Sequence, residues 1–355
     1  MGSKSKSICS KSKQPKQWSS AAEGRDPPSG AKPGTLLGMT LQEMISKLHD
    51  FWASQGCAIL QPYDLEVGAG TMHPATTLRS LGPEPWNVAY VQPSRRPADG
   101  RYTLNPMRSQ RYLQYQVIMK PSPENIVDLY MDSLKVLGID TKAHDIRLVE
   151  DDWESQAAGA SGVGWEVWLD GTEITQFTFF QQMGGIECNP VSAEITFGLE
   201  RVCLLLNKQS SFWDDLMWSD TMSYREAEWE LEMQNNVYNF EVASTEMLFQ
   251  LFDMYEAESK RVIETPVYWD SSQRILSTKP AERGEDCSVR EALIYPAFDL
   301  ALRCSHTFNL LDARGAVGVT ERAKFINRIR ARVRACCLKF VEHYKVQEAA
   351  GSSKA

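Results

Sequence analysis

Two short runs in this 355-residue chain carry residue types suited to phosphate chemistry. The first is Gln92-Pro-Ser-Arg95-Arg96-Pro-Ala-Asp99-Gly-Arg101-Tyr102, with Arg108 and Arg111 following. It concentrates five cations between two strand-like segments. A guanidinium pairs two phosphate oxygens at once and stays charged at any useful pH, so a strand–loop–strand of this kind suits a triphosphate. The plainer alternative is a solvated surface loop, because exposed arginine contributes little by itself. The second run is Ala193-Glu194-Ile-Thr-Phe-Gly198-Leu-Glu200-Arg201. Here Gly198 permits a sharp bend from strand to helix, and Arg201 falls in the first helical turn, where anions are favoured. Glu194 suits a hard divalent ion such as Mg2+ that also binds substrate phosphate. Taken alone, the same pattern fits a structural Glu–Arg pair.

A third constellation is a hairpin. Trp165 to Leu169 and Thr172 to Gln182 alternate on either side of Asp170-Gly171, the signal of a type I′ turn. Alternation places Glu166, Trp168, Gln176 and Thr178 on one face. Bulky aromatics mixed with amides and carboxylates suit a pocket for something small and polar, or else a half-exposed sheet face.

These residues need a frame. Thr40-Leu-Gln-Glu43 has capping-box form ahead of Met44, Ile45, Leu48, Phe51 and Trp52, which share a helical face. Val88 to Gln92 and Tyr112 to Lys120 read as strands, and Pro123 to Leu137 as a helix. Ser192 to Phe197 reads as a strand and Leu199 to Asn207 as a helix. Beyond lie an acidic helical region at 226–263, an irregular insertion at 265–295 and a last long helix from Val319 to about Tyr344. Strands joined by hairpins, with helices at both ends, predict an α+β domain built on an antiparallel sheet. The boundaries expected are a tail at 1–38, a catalytic core at 39–225 and a helical C-terminal region at 226–350.

Composition narrows the function. The net charge of −8 gives no global attraction to nucleic acid. No apolar run approaches the ~20 residues that cross a bilayer. The eight cysteines include no C-x-x-C pair, and no two of the five histidines are spaced as metal ligands on one helix. The tail sets seven Lys and Arg against two acids, with no acid before Glu23. That fits a disordered tail, an appended segment or an organellar transit peptide, and places the protein in the cytoplasm, or in a plastid or mitochondrion in the last case.

In order, the runs resemble the three signature motifs of class II aminoacyl-tRNA synthetases: Trp52 to Pro62, Tyr90 to Lys120, and the strand–Gly–helix ending in Glu200-Arg201. More narrowly, Leu65 to Thr71, Leu81 to Pro85, Gln92 to Pro97, His144 to Arg147, Gly164 to Trp168, Glu173 to Thr178, Glu194 to Arg201 and Phe308 to Arg314 resemble the glycyl-tRNA synthetase α-subunit. The resemblance implies six antiparallel strands flanked by helices, a homodimer of α-subunits, and a β-subunit that contributes most of the tRNA(Gly) recognition. It implies ATP as substrate with Mg2+. It assigns Arg95, or alternatively Arg96, to the α-phosphate, and Arg201 to the γ-phosphate and adenine. Arg108 and Gln114 join the ATP site, Glu194 the metal, and Gln116, Glu166, Trp168, Gln176 and Thr178 the glycine site. Ser161 stands where the family usually has tryptophan, and Thr103 to Met107 replaces a more polar segment. Two rival functions are a catalytically silent paralogue and a ligase that activates carboxylates for another acceptor.

Overall fold

The computed structural model describes residues 38–270, 275–278 and 290–352. The basic tail therefore lies outside the described residues, as does much of the insertion. Thr40 opens the described fold: its Oγ1 accepts the Glu43 amide at 3.2 Å and caps α1 (Leu41–Ser54). Leu41, Met44, Leu48 and Trp52 recur at helical spacing and are all buried. Then follow β1 (Ala58–Ile59), the short α2 (Pro74–Thr77), β2 (Trp86–Arg95), β3 (Arg111–Lys120), α3 (Ile126–Val136), β4 (Ile146–Ser155), β5 (Ala160–Leu169), β6 (Thr172–Met183), β7 (Ile186–Glu187), β8 (Ala193–Gly198) and α4 (Leu199–Leu206).

These strands form one sheet in the order β1-β2-β3-β8-β6-β5-β4, with β7 on the end of β6. β1 runs parallel to β2, and the six principal strands pair antiparallel. Asp170 and Gly171 take φ of 48° and 83°, as a type I′ turn requires, so the hairpin forms where the sequence puts it. β4 is not legible in the sequence. It is the free edge of the sheet, with exposed Arg147 to Glu150, and an edge strand wetted on both faces has no apolar alternation to read.

The chain continues through β9 (Met217–Ser219) and β10 (Met222–Ser223) into α5 (Tyr224–Val237), which a full Ser223–Glu226 capping box starts. A π-helical turn, Tyr238–Val242, leads to α6 (Thr245–Glu264). Where an irregular insertion was expected, the described residues form β11 (Val267–Asp270), β12 (Ile275–Ser277) and β13 (Arg290–Glu291), paired antiparallel. Two long helices, α7 (Ile294–Ala313) and α8 (Val319–Ser352), finish the chain. No helix among the described residues is long and apolar enough to cross a membrane.

The sheet separates two cores. Tyr115, Val117, Phe177, Ile195 and Phe197 pack under α1, α3 and α4. Val88, Ile118, Phe180 and Met183 pack under α6, α7 and α8 on the other face. β5 and β6 approach closely at Gly164: a Cβ there would lie 1.9 Å from the Phe177 carbonyl oxygen. That neighbour is backbone inside a paired strand and cannot yield. Gly164→Ala is therefore expected to cost at least about 3 kcal/mol, the upper end for overpacking. Urea unfolding measures it, and an unchanged midpoint would contradict the strand register.

Candidate active site

Antiparallel register sets the polar side chains of the sheet in rows. Gln116 of β3 lies opposite Thr196 of β8, then Gln176 of β6 and Glu166 of β5. In the next row Glu194 lies opposite Thr178. Period-two alternation turns both rows away from the core under α1, α3 and α4. Buried polar groups need partners, and these find them. Glu194, 1% exposed, accepts at Oε1 from Thr71 Oγ1 at 2.6 Å and from Gln116 Nε2. Gln116 Oε1 accepts from Thr196 Oγ1 at 2.8 Å. Gln114 Oε1 accepts the Gly70 amide and Ser94 Oγ, each at 2.8 Å. Thr178 Oγ1 is buried beside this network without a partner among the described residues.

Above this floor lies a cavity of about 440 Å³, within the usual range for small-molecule sites. The loop between β2 and β3 supplies one wall through Arg96, Asp99, Met107 and Arg108. The start of α4 with the β6 strand supplies a second through Arg201, Glu173 and Ile174. The end of β4 supplies a third through Trp153, Glu154 and Ser155. Arg96 Nε donates to the Gly68 carbonyl at 2.9 Å, and its guanidinium lies 5.3 Å from the centre of the Tyr112 ring. Arg108 pairs with Asp99 at 3.3 Å, and Arg201 with Glu173 at 3.2 Å. Solvent-exposed pairs of this kind contribute only ~0–1 kcal/mol, so they hold the two guanidinium groups only weakly.

The floor has the opposite character. Burial pushes the Glu194 carboxyl up to about 7, against the hydrogen bonds from Thr71 and Gln116. Burial likewise pushes Glu200 up to about 7, although it accepts the Leu113 amide at 2.8 Å and the Tyr224 hydroxyl at 3.1 Å. Guanidinium groups at the rim thus face carboxyls at the floor. The arrangement is complementary to a ligand set that is anionic at one end and cationic at the other.

Residues 41–345 match the family model described as glycyl-tRNA synthetase alpha subunit. The chain belongs to that family. It is thereby an aminoacyl-tRNA synthetase subunit, in a family that uses ATP and has tRNA as a substrate. Two solved structures of pyrrolysyl-tRNA synthetase from Desulfitobacterium hafniense are similar to it at 12% and 11% identity, with TM-scores of 0.36 and 0.34. Each match covers 52% of this chain and 75% of that one. The class II layout expected from the sequence, six antiparallel strands with helices on both faces, is the layout observed.

Of the residues singled out in the sequence, Arg96, Arg108, Gln114, Gln176, Glu194 and Arg201 line the cavity. Gln116 and Thr178 are buried in the rows beneath it. Arg95, Glu166 and Trp168 are not in the wall. Arg95 pairs in register with Arg111, on the face opposite Ser94 and Gln114. Burial chiefly pushes His306 of α7 down to about 4, with the Glu66 charge opposing and the Arg95 charge adding to the shift. Glu166 Oε2 is taken by the Trp168 indole at 3.0 Å, and Gln176 Nε2 donates to Asp151 at 2.8 Å. Gly198 also differs from expectation. Its φ of −85° is open to any residue, and a Cβ there would meet only ordinary contacts at 3.9 Å and beyond. It lines the cavity, so its small size leaves room for a ligand rather than enabling a bend.

Thr71, Tyr112, Trp153, Glu173 and Glu200 line the cavity but were not assigned roles from the sequence. Tyr112 was within reach, two residues before Gln114 and so on the same face; Trp153 lies on the unread edge strand. Among the described residues no group of three or more His, Cys, Asp or Glu is arranged to hold a metal. Glu194 nevertheless fits Mg2+ in the shared mode, with substrate phosphates and water as the other ligands, because both its hydrogen bonds fall on Oε1.

Glu200 contributes a testable part of the pH dependence of the fold. A carboxyl raised from 4.5 to about 7 binds more protons folded than unfolded, so it lowers stability as pH rises across that window. Glu200→Gln keeps both acceptor contacts. It is expected to exceed wild type by on the order of 1–3 kcal/mol above about pH 7. The gap should close towards pH 4.5. Urea midpoints across this range measure it, and a gap independent of pH would refute the assignment.

Proposed function

We propose that this chain is the glycine-activating subunit of a glycine–tRNA ligase. It joins glycine to ATP as glycyl-adenylate with release of pyrophosphate. With a β-subunit, it then passes the glycyl group to tRNA(Gly). The observation that carries this reading is the opposition, within one cavity, of the Arg96, Arg108 and Arg201 guanidinium groups to the buried Glu194 carboxyl. Family membership supports the choice of glycine. The net charge of −8 supports leaving most of the tRNA contact to the partner. Pairing of two α-subunits belongs to the same reading.

The glycine carboxylate oxygen attacks the α-phosphorus, and the bond to the leaving pyrophosphate oxygen breaks in line. Positioning and charge stabilisation carry the rate, since little covalent work falls to the protein. Arg96 takes the α-phosphate oxygens, in preference to Arg95 on the opposite face. Arg108 and Arg201 take the β- and γ-phosphates, exchanging Asp99 and Glu173 for them. Tyr112 and Gln114 line the adenosine end. Mg2+, when bound, neutralises phosphate charge, and Glu194 is the residue that would hold it. Gln176, with its Nε2 committed to Asp151, keeps Oε1 for the glycine ammonium. Glu166 and Trp168 back this end from the same sheet face. Glycine offers no side chain to grip, so selectivity comes from filled space, which Trp153 and Ile174 occupy in the wall.

The test is ATP–pyrophosphate exchange by the chain assembled with its β-subunit, screened over all amino acids. Glycine alone is expected to support exchange. Arg96→Ala and Arg201→Ala are each expected to lower it at least about 100-fold without loss of fold, and Arg95→Ala less than about tenfold. Absence of glycine-dependent exchange would sink the reading. Arg95→Ala losing more than Arg96→Ala would return the α-phosphate to Arg95.

A further inference from the structure

The arginine-bearing loop, residues 96–110, is fastened to α5 by a buried polar pair. Asn236 Oδ1 accepts the Tyr102 amide at 3.0 Å. Glu232 Oε1 accepts the Gln110 amide at 2.8 Å. Asn236 Nδ2 joins the two by donating to the same Glu232 oxygen at 2.8 Å. One path therefore ties the middle of the loop to its end. Asn236 is fully buried and Glu232 is 2% exposed.

Two further observations show that the loop is shaped to this pair. Tyr102 and Thr103 both take left-handed φ, 51° and 57°, which costs roughly 1–2 kcal/mol for each non-glycine residue. Such a conformation persists only where the surroundings over-determine it. The Tyr102 amide on Asn236, the Tyr102 hydroxyl on Glu241 at 2.7 Å and the Tyr102 ring on Phe240 at 5.7 Å supply that support. Gly100 has an ordinary extended conformation. A Cβ there, however, would lie 2.2 Å from Asn236 Oδ1. The loop thus packs on the helix at backbone distance, and a side chain would lift it off.

We propose that Asn236 and Glu232 are positioning residues that hold Arg96 and Arg108 in the cavity wall and thereby set the affinity for ATP. Neither touches the cavity. They act through the loop, from a helix that follows all three signature runs in the sequence. The proposal rests on the ATP-binding reading above.

The test has two limbs on the assembled enzyme. In hydrogen–deuterium exchange, Asn236→Ala is expected to speed exchange across 96–110 while β3 and β8 stay protected. In the exchange assay, KM for ATP is expected to rise about tenfold, the worth of one lost hydrogen bond, with KM for glycine unmoved. Glu232→Gln, which keeps both acceptor contacts, is expected to retain wild-type protection and KM for ATP. Gly100→Ala repeats the test without touching the helix, should Asn236→Ala fail to fold. A loop that stays protected in both variants overturns the proposal, as does a loosened loop with KM for ATP unchanged or both KM values raised alike. If the wild type shows no glycine-dependent exchange, the functional reading fails while the deuterium limb still tests the staple.

Discussion

A buried carboxyl in the middle of a sheet, Glu194, is the constraint on which the rest of this structure turns. Leaving Glu194 unpaired there would cost several kcal/mol, so the fold brings partners to it. Gln116 supplies one, and is held in turn by Thr196 on the strand beyond. Thr71 supplies the other, at the end of the Gly-rich segment 65–71. That segment must lie flat on the sheet: a Cβ on Gly70 would come within 2.6 Å of Gln116 Oε1. Tyr90 pins it by donating to the Gly70 carbonyl at 3.0 Å. The polar strip thus dictates where the covering chain runs, and the cavity is the space left between that chain, the arginine loop and the edge strand.

Legibility in the sequence followed periodicity. The Asp170-Gly171 hairpin, the β3 strand and the α1 face could be read because alternation or helical spacing coincided with burial. The shared face of Glu166, Gln176 and Thr178 was legible for the same reason. Its reach was not, because distance from the cavity depends on how the walls close over the sheet. Arg95 and Arg96 show the limit most clearly. A period of two gives opposite faces to adjacent residues but does not say which face the ligand takes. That choice was made by Ser94 and Gln114, whose hydrogen bond fixes the site side of β2.

The arginines of α8 show a different limit. Their spacing in the sequence leaves partner, RNA and solvent equally open. In the fold, Arg328 pairs with Asp253 at 2.6 Å and also with Glu256. Arg330 donates to the Gln156 carbonyl at 2.6 Å, and Arg334 to the carbonyls of Gly184 and Gly185 at 2.9 and 2.8 Å. The turns after β4 and β6 are held this way, and the first of them directly follows the Trp153–Ser155 wall. At Arg330 and Arg334, guanidinium groups that look available to a partner instead donate to turn carbonyls of the same chain.

Rim and floor therefore meet different physical demands. At the floor, Glu194, Gln116 and Gln114 are held by hydrogen bonds before any ligand arrives, and polar groups fixed in advance need no reorganisation to stabilise charge. At the rim, the Arg108 and Arg201 guanidinium groups rest in weak, exposed ion pairs with Asp99 and Glu173. Arg108 is thus free to turn while the loop that carries it is held to α5 through Asn236 and Glu232. In the proposed function, discrimination between amino acids falls to the sheet, and stabilisation of charge to the loop and the start of α4.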